Sequence, residues 1–449
     1  MVLPLETELE RLSRQPSPRS LEAFWAKVEA HGTPWIEPLP DRPGLCRVTF
    51  LYRGDARTRN VVLVSGATLD RIEESRFRRR GTSDIWSFSL EWPDDTRTGY
   101  WLAANDSLVP LSRETDLPRR FSSFLPDPRN HRTFEARDPG DPDDPGLRVS
   151  MAELPRAPRD PLTRRVRGVP RGAVTAHRLP SRILRGDRRV WTYDPPPPAG
   201  RRARAVVIAF DGFVHLGPIP LPVILDNLHA EGRIAPTRAI IVDTLAEGDR
   251  SRLLTCNDAF RRFLADELLP RFGLDPAAED GRTVLAGQSL GAVAALHALF
   301  GHPELFRGAL LQSGDFPWAP EGEEPNALAR LASRARGPPA SVWMEVGSME
   351  GGTVGEGGVS TLAANRHLRD VLVARGDRVA YREFHGGHDY PCWRESFSIG
   401  LRWLLPSAGD SEGDRSPAAL SRSHPRRPGA ASAVGPAKRT GGHPSDRGS

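Results

Sequence analysis

The segment from Gly287 to Gly291, with the sequence GQSLG, constrains the fold of this chain more than any other stretch. An apolar run, TVLA, enters it, and an Ala- and Leu-rich helical pattern, VAALHALF, leaves it. A Gly-x-Ser-x-Gly turn between a buried strand and a helix is a nucleophile elbow, because glycine tolerates the close backbone approach at both flanks. We therefore predict that Ser289 is a nucleophile above a sheet edge, where the helix N-terminus favours developing negative charge.

The elbow lies within a series of alternating strand and helix patterns. Continuous apolar runs such as ARAVVIAF, RAIIVDT, GALLQSG and SVWMEVG indicate strands buried on both faces, and helical patterns with short loops separate them. Repeated strand-then-helix units imply a parallel, doubly wound sheet. With the elbow, this pattern predicts an α/β-hydrolase-like catalytic domain over residues 151–406, whose sheet is mostly parallel and begins with strands at RGAVTAHRL and RRVWTYDPP.

The region before this domain has a different periodicity. Residues 1–35 have an amphipathic helical pattern, and short alternating runs such as LCRVTFLYR and DIWSFSLEW follow between residues 45 and 108. Gly, Pro and Asp separate these runs, which predicts an immunoglobulin-like β-sandwich. We assign it to an N-terminal domain over residues 1–150, with residues 126–172 as an irregular connector. Residues 407–449 are rich in Pro, Gly, Ser and Arg without apolar periodicity, which predicts a disordered tail.

Composition and charge argue against several classes of protein. The chain has 62 Lys and Arg against 57 Asp and Glu, and the two signs are interspersed, so we expect a mixed solvated surface and no nucleic-acid partner. No apolar stretch is long enough for a bilayer, and the N-terminal segment is charged where a signal peptide is apolar, so we expect a cytoplasmic protein without a membrane partner. Three cysteines without ligand spacing predict no metal site.

The candidate triad acid follows the strand SVWMEVG. In the α/β-hydrolase order the acid comes after the nucleophile and before the base. Glu350 lies in the loop beyond that strand, at the carboxyl edge where active-site groups gather in open parallel sheets. Glu345, within the strand, and Asp389, near the candidate base, are its rivals.

The candidate base follows the last strand, RVAYREF, in the segment HGGHD. His385 and His388 both lie there, and His388 is nearer the following helix. The glycines between them would let the loop fold back over the sheet edge, so that an imidazole could take the serine proton and return it to the leaving alcohol.

The oxyanion hole requires two backbone N–H groups. Leu290, directly after the nucleophile, supplies the first. The second should come from the loop DGFVH after the strand ARAVVIAF, where Gly212 permits a sharp turn. Phe213 is the first candidate for that N–H group and Gly212 is the second.

Beyond these features, the chain resembles the enterochelin (ferric enterobactin) esterases over about residues 25–406. In the N-terminal half the matching residues are Trp86 within Asp84-Ile85-Trp86, Gly99-Tyr100, Asp127-Pro128-Arg129-Asn130 and the stretch from Met151 to Pro155. In the C-terminal half they are Asp211-Gly212, Arg250, Cys256-Asn257, Glu267-Leu268-Leu269-Pro270, Gly287-Gln288-Ser289, Gln312-Ser313-Gly314, Glu345, Gly347, Glu350, Asn365, Gly386-Gly387-His388-Asp389 and Cys392-Trp393-Arg394. Two positions depart from the family pattern, with Ala292 in place of a second glycine and Leu253 in place of a glutamate.

The resemblance implies an activity and a set of site residues. It implies a serine esterase that hydrolyses the trilactone esters of a ferric catecholate siderophore and releases iron, with His388 as the base and the sandwich as an accessory domain. It implies no cofactor, since iron enters only as part of the substrate. Because such a substrate carries negative charge and catechol rings, Arg250, Arg394 and Trp393 are candidates to contact it. The alternative is a surface or structural ion pair for each arginine and a packing role for Trp393.

Two points stay open at this stage. A general carboxylesterase or acyltransferase acting on another bulky acyl ester is the alternative enzyme, and a non-catalytic binding protein on a hydrolase scaffold is the alternative outside enzymes. Cys256 and Cys392 both lie in the motifs of the catalytic half; two buried thiols are the expectation for a cytoplasmic protein, and their pairing is the alternative.

Overall fold

The computed structural model describes most of the chain, with gaps in several loops and at the two ends. The described residues are 4–66, 68–109, 114–138, 144, 146–196, 205–244, 250–274, 283–352 and 358–407. The predicted disordered tail, 407–449, therefore lies outside the described residues apart from Ser407.

Two short helices open the chain where a single amphipathic segment was predicted. Helix α1 is Leu5–Arg14 and helix α2 is Pro18–His31. The chain breaks between them because Ser17 caps α2, accepting a hydrogen bond from the backbone N–H of Ser20 at 3.2 Å. Apolar side chains of both helices pack against three residues of the adjacent sheet, Trp35, Leu51 and Ile85.

Two antiparallel four-stranded sheets follow and pack face to face. Their strand orders are β1-β2-β5-β4 and β3-β6-β8-β7. Phe50 lies at their centre and makes edge-to-face contacts with Trp92 of its own sheet and Tyr100 of the other. The elements are β1 Trp35–Pro38, β2 Leu45–Arg53, β3 Val61–Ser65, β4 Arg78–Arg79, β5 Ile85–Pro93, β6 Arg97–Ala104, α3 Leu117–Phe121, β7 Thr133–Ala136 and β8 Leu147–Glu153.

The prediction of an irregular connector over 126–172 is wrong in part. Strands β7 and β8 lie within it and complete the second sheet of the sandwich. Strand β7 alternates between exposed and buried residues but spans only four residues, and β8 has two adjacent buried residues at its centre, so neither gives a long alternating pattern. Strand β8 also crosses position 150, and the division into domains at that residue stays a prediction.

The remaining strands form one eight-stranded sheet with the order β16-β15-β14-β13-β11-β12-β10-β9. The six strands from β11 to β16 are parallel, and the hairpin of β9 and β10 extends the sheet antiparallel to β12. This is the predicted doubly wound, mostly parallel α/β sheet. The strands are β9 Ala173–Ser181, β10 Gly186–Asp194, β11 Ala205–Ala209, β12 Thr237–Val242, β13 Thr283–Gln288, β14 Gly308–Gln312, β15 Ser341–Gly347 and β16 Arg378–Phe384.

Helices cover both faces of this sheet. Alternate residues of each strand point to opposite faces, so Ile208 and Leu285 enter one core while Val207 and Ala286 enter the other. Helices α5 to α10 cover the first face, and α4, α11 and α12 cover the second. The helices are α4 Leu221–Ala230, α5 Arg250–Leu254, α6 Asp258–Arg262, α7 Leu269–Arg271, α8 Leu290–Gly301, α9 Ala327–Arg334, α10 Thr361–Arg375, α11 Tyr390–Arg394 and α12 Phe397–Leu404, with a π-helical stretch, Phe263–Leu268, between α6 and α7.

Helix length and polarity bear on membrane insertion. Within the described part of the chain, no helix combines the length and the apolar character needed to cross a bilayer.

Candidate active site

The predicted elbow joins β13 to α8. Ser289 has φ 55° and ψ −122°, a conformation that costs a non-glycine residue free energy and is found mainly at functional sites. A Cβ atom at Gly287 would lie 2.2 Å from the carbonyl carbon of Gly291, so only glycine fits there. Ser289 itself is partly exposed although the strand before it is buried. The turn therefore presents the serine hydroxyl above the sheet edge.

Three neighbouring strands are each followed by a non-glycine residue with a positive φ angle. These residues are Asp211 after β11, with φ 62°, Ser289 after β13, with φ 55°, and Ser313 after β14, with φ 45°. The Ser289 N–H group donates to the carbonyl oxygen of Gln312 at 3.1 Å, and the N–H group of Asp315 donates to the Ser289 carbonyl at 3.2 Å. The elbow and the loop after β14 therefore form one backbone unit.

A carboxylate and an imidazole meet beside this unit. Glu350 Oε2 lies 2.7 Å from His388 Nδ1. Its other oxygen accepts hydrogen bonds from the Ser313 hydroxyl at 2.6 Å and from the N–H group of Gly347 at 2.8 Å. Because Glu350 is only 5% exposed and both its oxygens are bonded, its carboxylate has a single defined orientation. This contact fixes the ring of His388 through Nδ1.

Trp393 packs against His388 and bonds to Ser313, beside the pair of Glu350 and His388. Its indole N–H group donates to the Ser313 hydroxyl at 2.8 Å, and its ring meets the His388 ring edge to face with centroids 4.9 Å apart. The residue is 4% exposed, and this burial favours the packing role that is the alternative to a substrate contact. A contact between Trp393 and the substrate stays a prediction.

The protonation of His388 reflects two opposing effects. Burial disfavours the imidazolium, but the charge of Glu350 and its hydrogen bond outweigh this, so the pKa of His388 is raised above its ordinary value. The pKa of the neighbouring Asp315 is also raised, but here burial is the cause. The charges of His388 and Arg250 act on Asp315 in the opposite direction.

The rival residues have other partners. Glu345 is completely buried and accepts hydrogen bonds from Gln312 Nε2 at 2.6 Å and from the Ser396 hydroxyl. His385 is paired with Asp95, 2.5 Å from its Nδ1, on the outer side of the loop. Of the three candidate acids, Glu350 is the one for which the described contacts include a bond to His388.

The third candidate acid, Asp389, points away from His388. Its Oδ2 accepts hydrogen bonds from the N–H group of Gly99 at 2.7 Å and the hydroxyl of Thr98 at 2.9 Å. Its Oδ1 caps α11 by accepting from the N–H group of Cys392 at 3.1 Å. Asp389 therefore connects the catalytic loop to strand β6 of the sandwich.

The candidate oxyanion donors lie at the start of two helical turns. Leu290 is the first residue of α8, and Phe213 is the second of a 3-10 turn over Gly212–His215, so neither N–H group has an acceptor within its own turn. Gly212 has φ 27°, and a Cβ atom there would lie 2.8 Å from Asp243 Oδ1. The loop after β11 therefore turns sharply, as predicted, beside the elbow.

The two candidate substrate arginines are in different places. Arg250 makes a bidentate ion pair with Asp211, with nitrogen–oxygen distances of 2.9 and 2.7 Å. A Cβ atom at Gly291 would lie 3.5 Å from Asp211 Oδ2, so this ion pair adjoins the elbow. Arg394 instead donates to the Thr163 carbonyl at 3.2 Å and lines a separate cavity of about 740 Å³. Contact with substrate stays a prediction for both.

The cysteines are unpaired. Cys46, Cys256 and Cys392 are free thiols, and Cys392 donates to the Arg97 carbonyl with a sulfur–oxygen distance of 3.0 Å. Across the described residues there is no group of three or more His, Cys, Asp or Glu side chains placed to hold a metal ion.

Ser313 and Asp315 are the site residues that sequence reasoning missed. Ser313 stood in the quoted motif Gln312-Ser313-Gly314 without a role, although it follows a parallel strand at the edge where active-site groups gather. That position, one strand beyond the nucleophile, was the available signal.

Comparison with known proteins places this chain in a family. The family model "Enterochelin esterase, N-terminal" matches residues 47–163, and the model "Putative esterase" matches residues 181–404. The iron(III) enterobactin esterase of Dickeya dadantii is 31% identical over 420 residues, which cover 86% of this chain and 93% of that protein. The iron(III) salmochelin esterase of Escherichia coli O6:H1 is 26% identical over 86% of this chain and 94% of its own length.

A solved structure agrees with the sequence relatives. The crystal structure of ferric enterobactin esterase from Salmonella typhimurium superposes with a TM-score of 0.67 at 25% identity, covering 85% of this chain and 98% of the other. The match extends through both the sandwich and the eight-stranded sheet. The chain therefore belongs to the enterochelin esterase family and is a carboxylic ester hydrolase.

Proposed function

We propose that this protein is a serine esterase that opens the trilactone of a ferric catecholate siderophore, and that Ser289, His388 and Glu350 are its triad. The observation that carries the triad is the 2.7 Å bond between His388 and Glu350 next to the strained elbow. The relatives named for iron(III) enterobactin and iron(III) salmochelin support the substrate class.

Acylation begins with proton transfer. Glu350 holds the His388 ring through Nδ1, which leaves Nε2 to take the proton from the Ser289 hydroxyl. The serine oxygen attacks the ester carbonyl, and the tetrahedral intermediate collapses as His388 returns the proton to the leaving alkoxide. The products of this step are an acyl-enzyme and a free hydroxyl group on the adjacent unit of the opened trilactone.

Two backbone N–H groups stabilise the intermediate. Leu290 and Phe213 have the free donors for an oxyanion, and Gly212 is the second choice for the latter. The partial positive charge at the N-terminus of α8 adds to this effect. Water then attacks the acyl-enzyme with His388 as the base, and the carboxylic acid leaves as Ser289 regains its proton.

The substrate class is consistent with the charges beside the elbow. The guanidinium of Arg250 is held by Asp211 near Gly291, and planar guanidinium groups suit anionic oxygens. The ion pair already offsets part of its charge, so we propose that Arg250 orients the substrate as much as it attracts it. The reaction as written requires no cofactor, because iron arrives within the substrate.

The remaining proposals concern the location of the protein in the cell and its division into domains. An enzyme that releases iron for use inside the cell would act in the cytoplasm. The region 1–150 would form the accessory domain, and 151–406 the catalytic domain, with the two meeting at the histidine loop.

The test is hydrolysis of ferric enterobactin by the wild type and by Ser289→Ala. Mass spectrometry should detect a linear product that has gained one water, formed by the wild type, with a loss of at least about 10⁴-fold in the variant. Equal rates for the two proteins would overturn the proposal.

A general carboxylesterase is the alternative, and the same assay separates it. That enzyme would turn over simple aryl esters well and would show no preference for the ferric trilactone. A fluorophosphonate probe tests the nucleophile directly, because it should label the wild type at Ser289 and should not label Ser289→Ala.

A further inference from the structure

The catalytic histidine loop is held from outside the sheet that carries the nucleophile. The loop runs from His385 to Asp389, between β16 and α11, and contacts strand β6 of the sandwich. The N–H group of Arg97 donates to the His385 carbonyl at 3.1 Å. A Cβ atom at Gly386 would lie 2.6 Å from the Arg97 carbonyl oxygen, so the two backbones are in direct contact.

The strongest of these contacts is made by Asp389. One carboxylate oxygen accepts two donors from β6, the Thr98 hydroxyl at 2.9 Å and the Gly99 N–H group at 2.7 Å. The other oxygen caps α11 through the N–H group of Cys392. Thr98 and Gly99 are buried and Asp389 is partly exposed, so these charge-assisted hydrogen bonds are partly shielded from water, which strengthens them.

A second strand of the sandwich reaches His388 itself. A Cβ atom at Gly66, after β3, would lie 2.5 Å from the backbone nitrogen of His388 and 3.0 Å from its carbonyl oxygen. The loop is thus enclosed by β6 on one side and by the end of β3 on another, while Glu350 holds the imidazole.

We propose that Asp389 and Thr98 are positioning residues: they tie the loop to β6 and so place His388 for proton transfer from Ser289. The proposal rests on the proposed triad, and it gives the sandwich a part in catalysis separate from any contact with the siderophore. The reason is geometric, since a displacement of about 1 Å in a catalytic group can cost about 100-fold in rate.

Four variants of the full-length chain test this. Asp389→Asn keeps the shape but turns an N–H donor toward either β6 or α11, where donors already point. Thr98→Val removes only the hydroxyl, and Thr98→Ser restores it. Thr33→Val is the matched control, because it removes a buried hydroxyl bonded to a carboxylate, Asp127, at 2.7 Å, away from the histidine loop.

Three readouts distinguish positioning from structural support. They are kcat and KM on a small aryl ester and on ferric enterobactin, the rate of Ser289 labelling by a fluorophosphonate, and the melting temperature. We expect Asp389→Asn to lose about 10- to 100-fold and Thr98→Val about 3- to 10-fold in both kcat and labelling rate, with KM unchanged. Thr98→Ser and Thr33→Val should stay within about 2-fold of the wild type, even where Thr33→Val lowers the melting temperature as much as Thr98→Val.

Two results would overturn the proposal. If Thr98→Val and Asp389→Asn lower the melting temperature but leave the labelling rate unchanged, the bond between Asp389 and Thr98 has a purely structural role. The sandwich acts in substrate binding instead if these variants raise KM for ferric enterobactin alone. Failure of the proposed function is distinct, because it would appear as no turnover of ferric enterobactin by the wild type while aryl ester and probe still report on His388.

Discussion

The two loops that supply the proposed nucleophile and base are built in opposite ways. The turn around Ser289 depends chiefly on residues within five positions of one another, the glycines at 287 and 291 and the start of α8, although its backbone also bonds to Gln312 and Asp315. The histidine loop is determined by distant partners: Glu350 is 38 residues away and Gly99 is 290. A local turn leaves a motif in the sequence, whereas a loop held by remote contacts leaves only isolated residues.

This difference predicts where each half of the site can be broken. A substitution in the elbow should act through backbone geometry. Substitutions around His388 should act through hydrogen bonds and charge, and their effects should fall with each bond that separates them from the imidazole.

Gly287→Ala should have the largest effect, since its methyl group would lie 2.2 Å from backbone atoms of Gly291. We expect a loss of about 10³-fold or more in labelling of Ser289, together with roughly 1–3 kcal/mol of stability from overpacking. Gly186→Ala is the control, because a methyl group there meets no atom within 4 Å. Labelling at the wild-type rate would mean that the elbow adjusts and that its geometry is not locally determined.

Glu350→Gln should come next, with a fall of about 10²- to 10⁴-fold in kcat/KM. Glu350 raises the pKa of His388 against the effect of burial, so its removal should lower that pKa. Because the base acts when neutral, the acidic limb of the pH profile should move to lower pH. Glu323→Gln, in an exposed ion pair with Arg330, serves as the control. A limb that stays in place or moves upward would contradict the assignment of the acid.

Ser313→Ala should cost about 10-fold in kcat with KM unchanged. It removes the hydroxyl that donates to Glu350 and leaves the Trp393 N–H group buried without its acceptor. Steady-state kinetics beside Ser333→Ala, an exposed serine in α9, would measure the difference. Equal kcat values would show that Glu350 keeps its orientation without this bond.

Glu345→Gln should have the smallest effect, within about 3-fold of the wild type in kcat/KM. Burial raises the pKa of Glu345, and a glutamine of the same shape can still accept from Gln312 and Ser396. Its pH profile should overlay that of the wild type. If this variant instead behaves as Glu350→Gln does, the two carboxylates have been assigned the wrong way round.

The same contrast explains what sequence reasoning could reach. The parallel sheet was predictable because strands such as β11 and β14 are fully buried apolar runs between helical patterns, and the elbow was predictable because its glycines adjoin its serine. Strand β7 was missed because its alternation spans only four residues, and β8 because adjacent buried residues interrupt its alternation. For Trp393 the sequence left both a packing role and a substrate contact open, because a motif shows that a residue is near the site, not which way its side chain points.

The bond between Gly99 and Asp389 has a consequence for how the enzyme comes into being. It joins residues 290 positions apart, so closing it costs the chain entropy that only the completed fold repays. During synthesis the N-terminal strands leave the ribosome first and can fold before the last strand and its histidine loop exist. The sandwich can then be folded before that loop emerges, so a nascent chain that has already made Ser289 still lacks its base until the segment from His385 to Asp389 reaches β6.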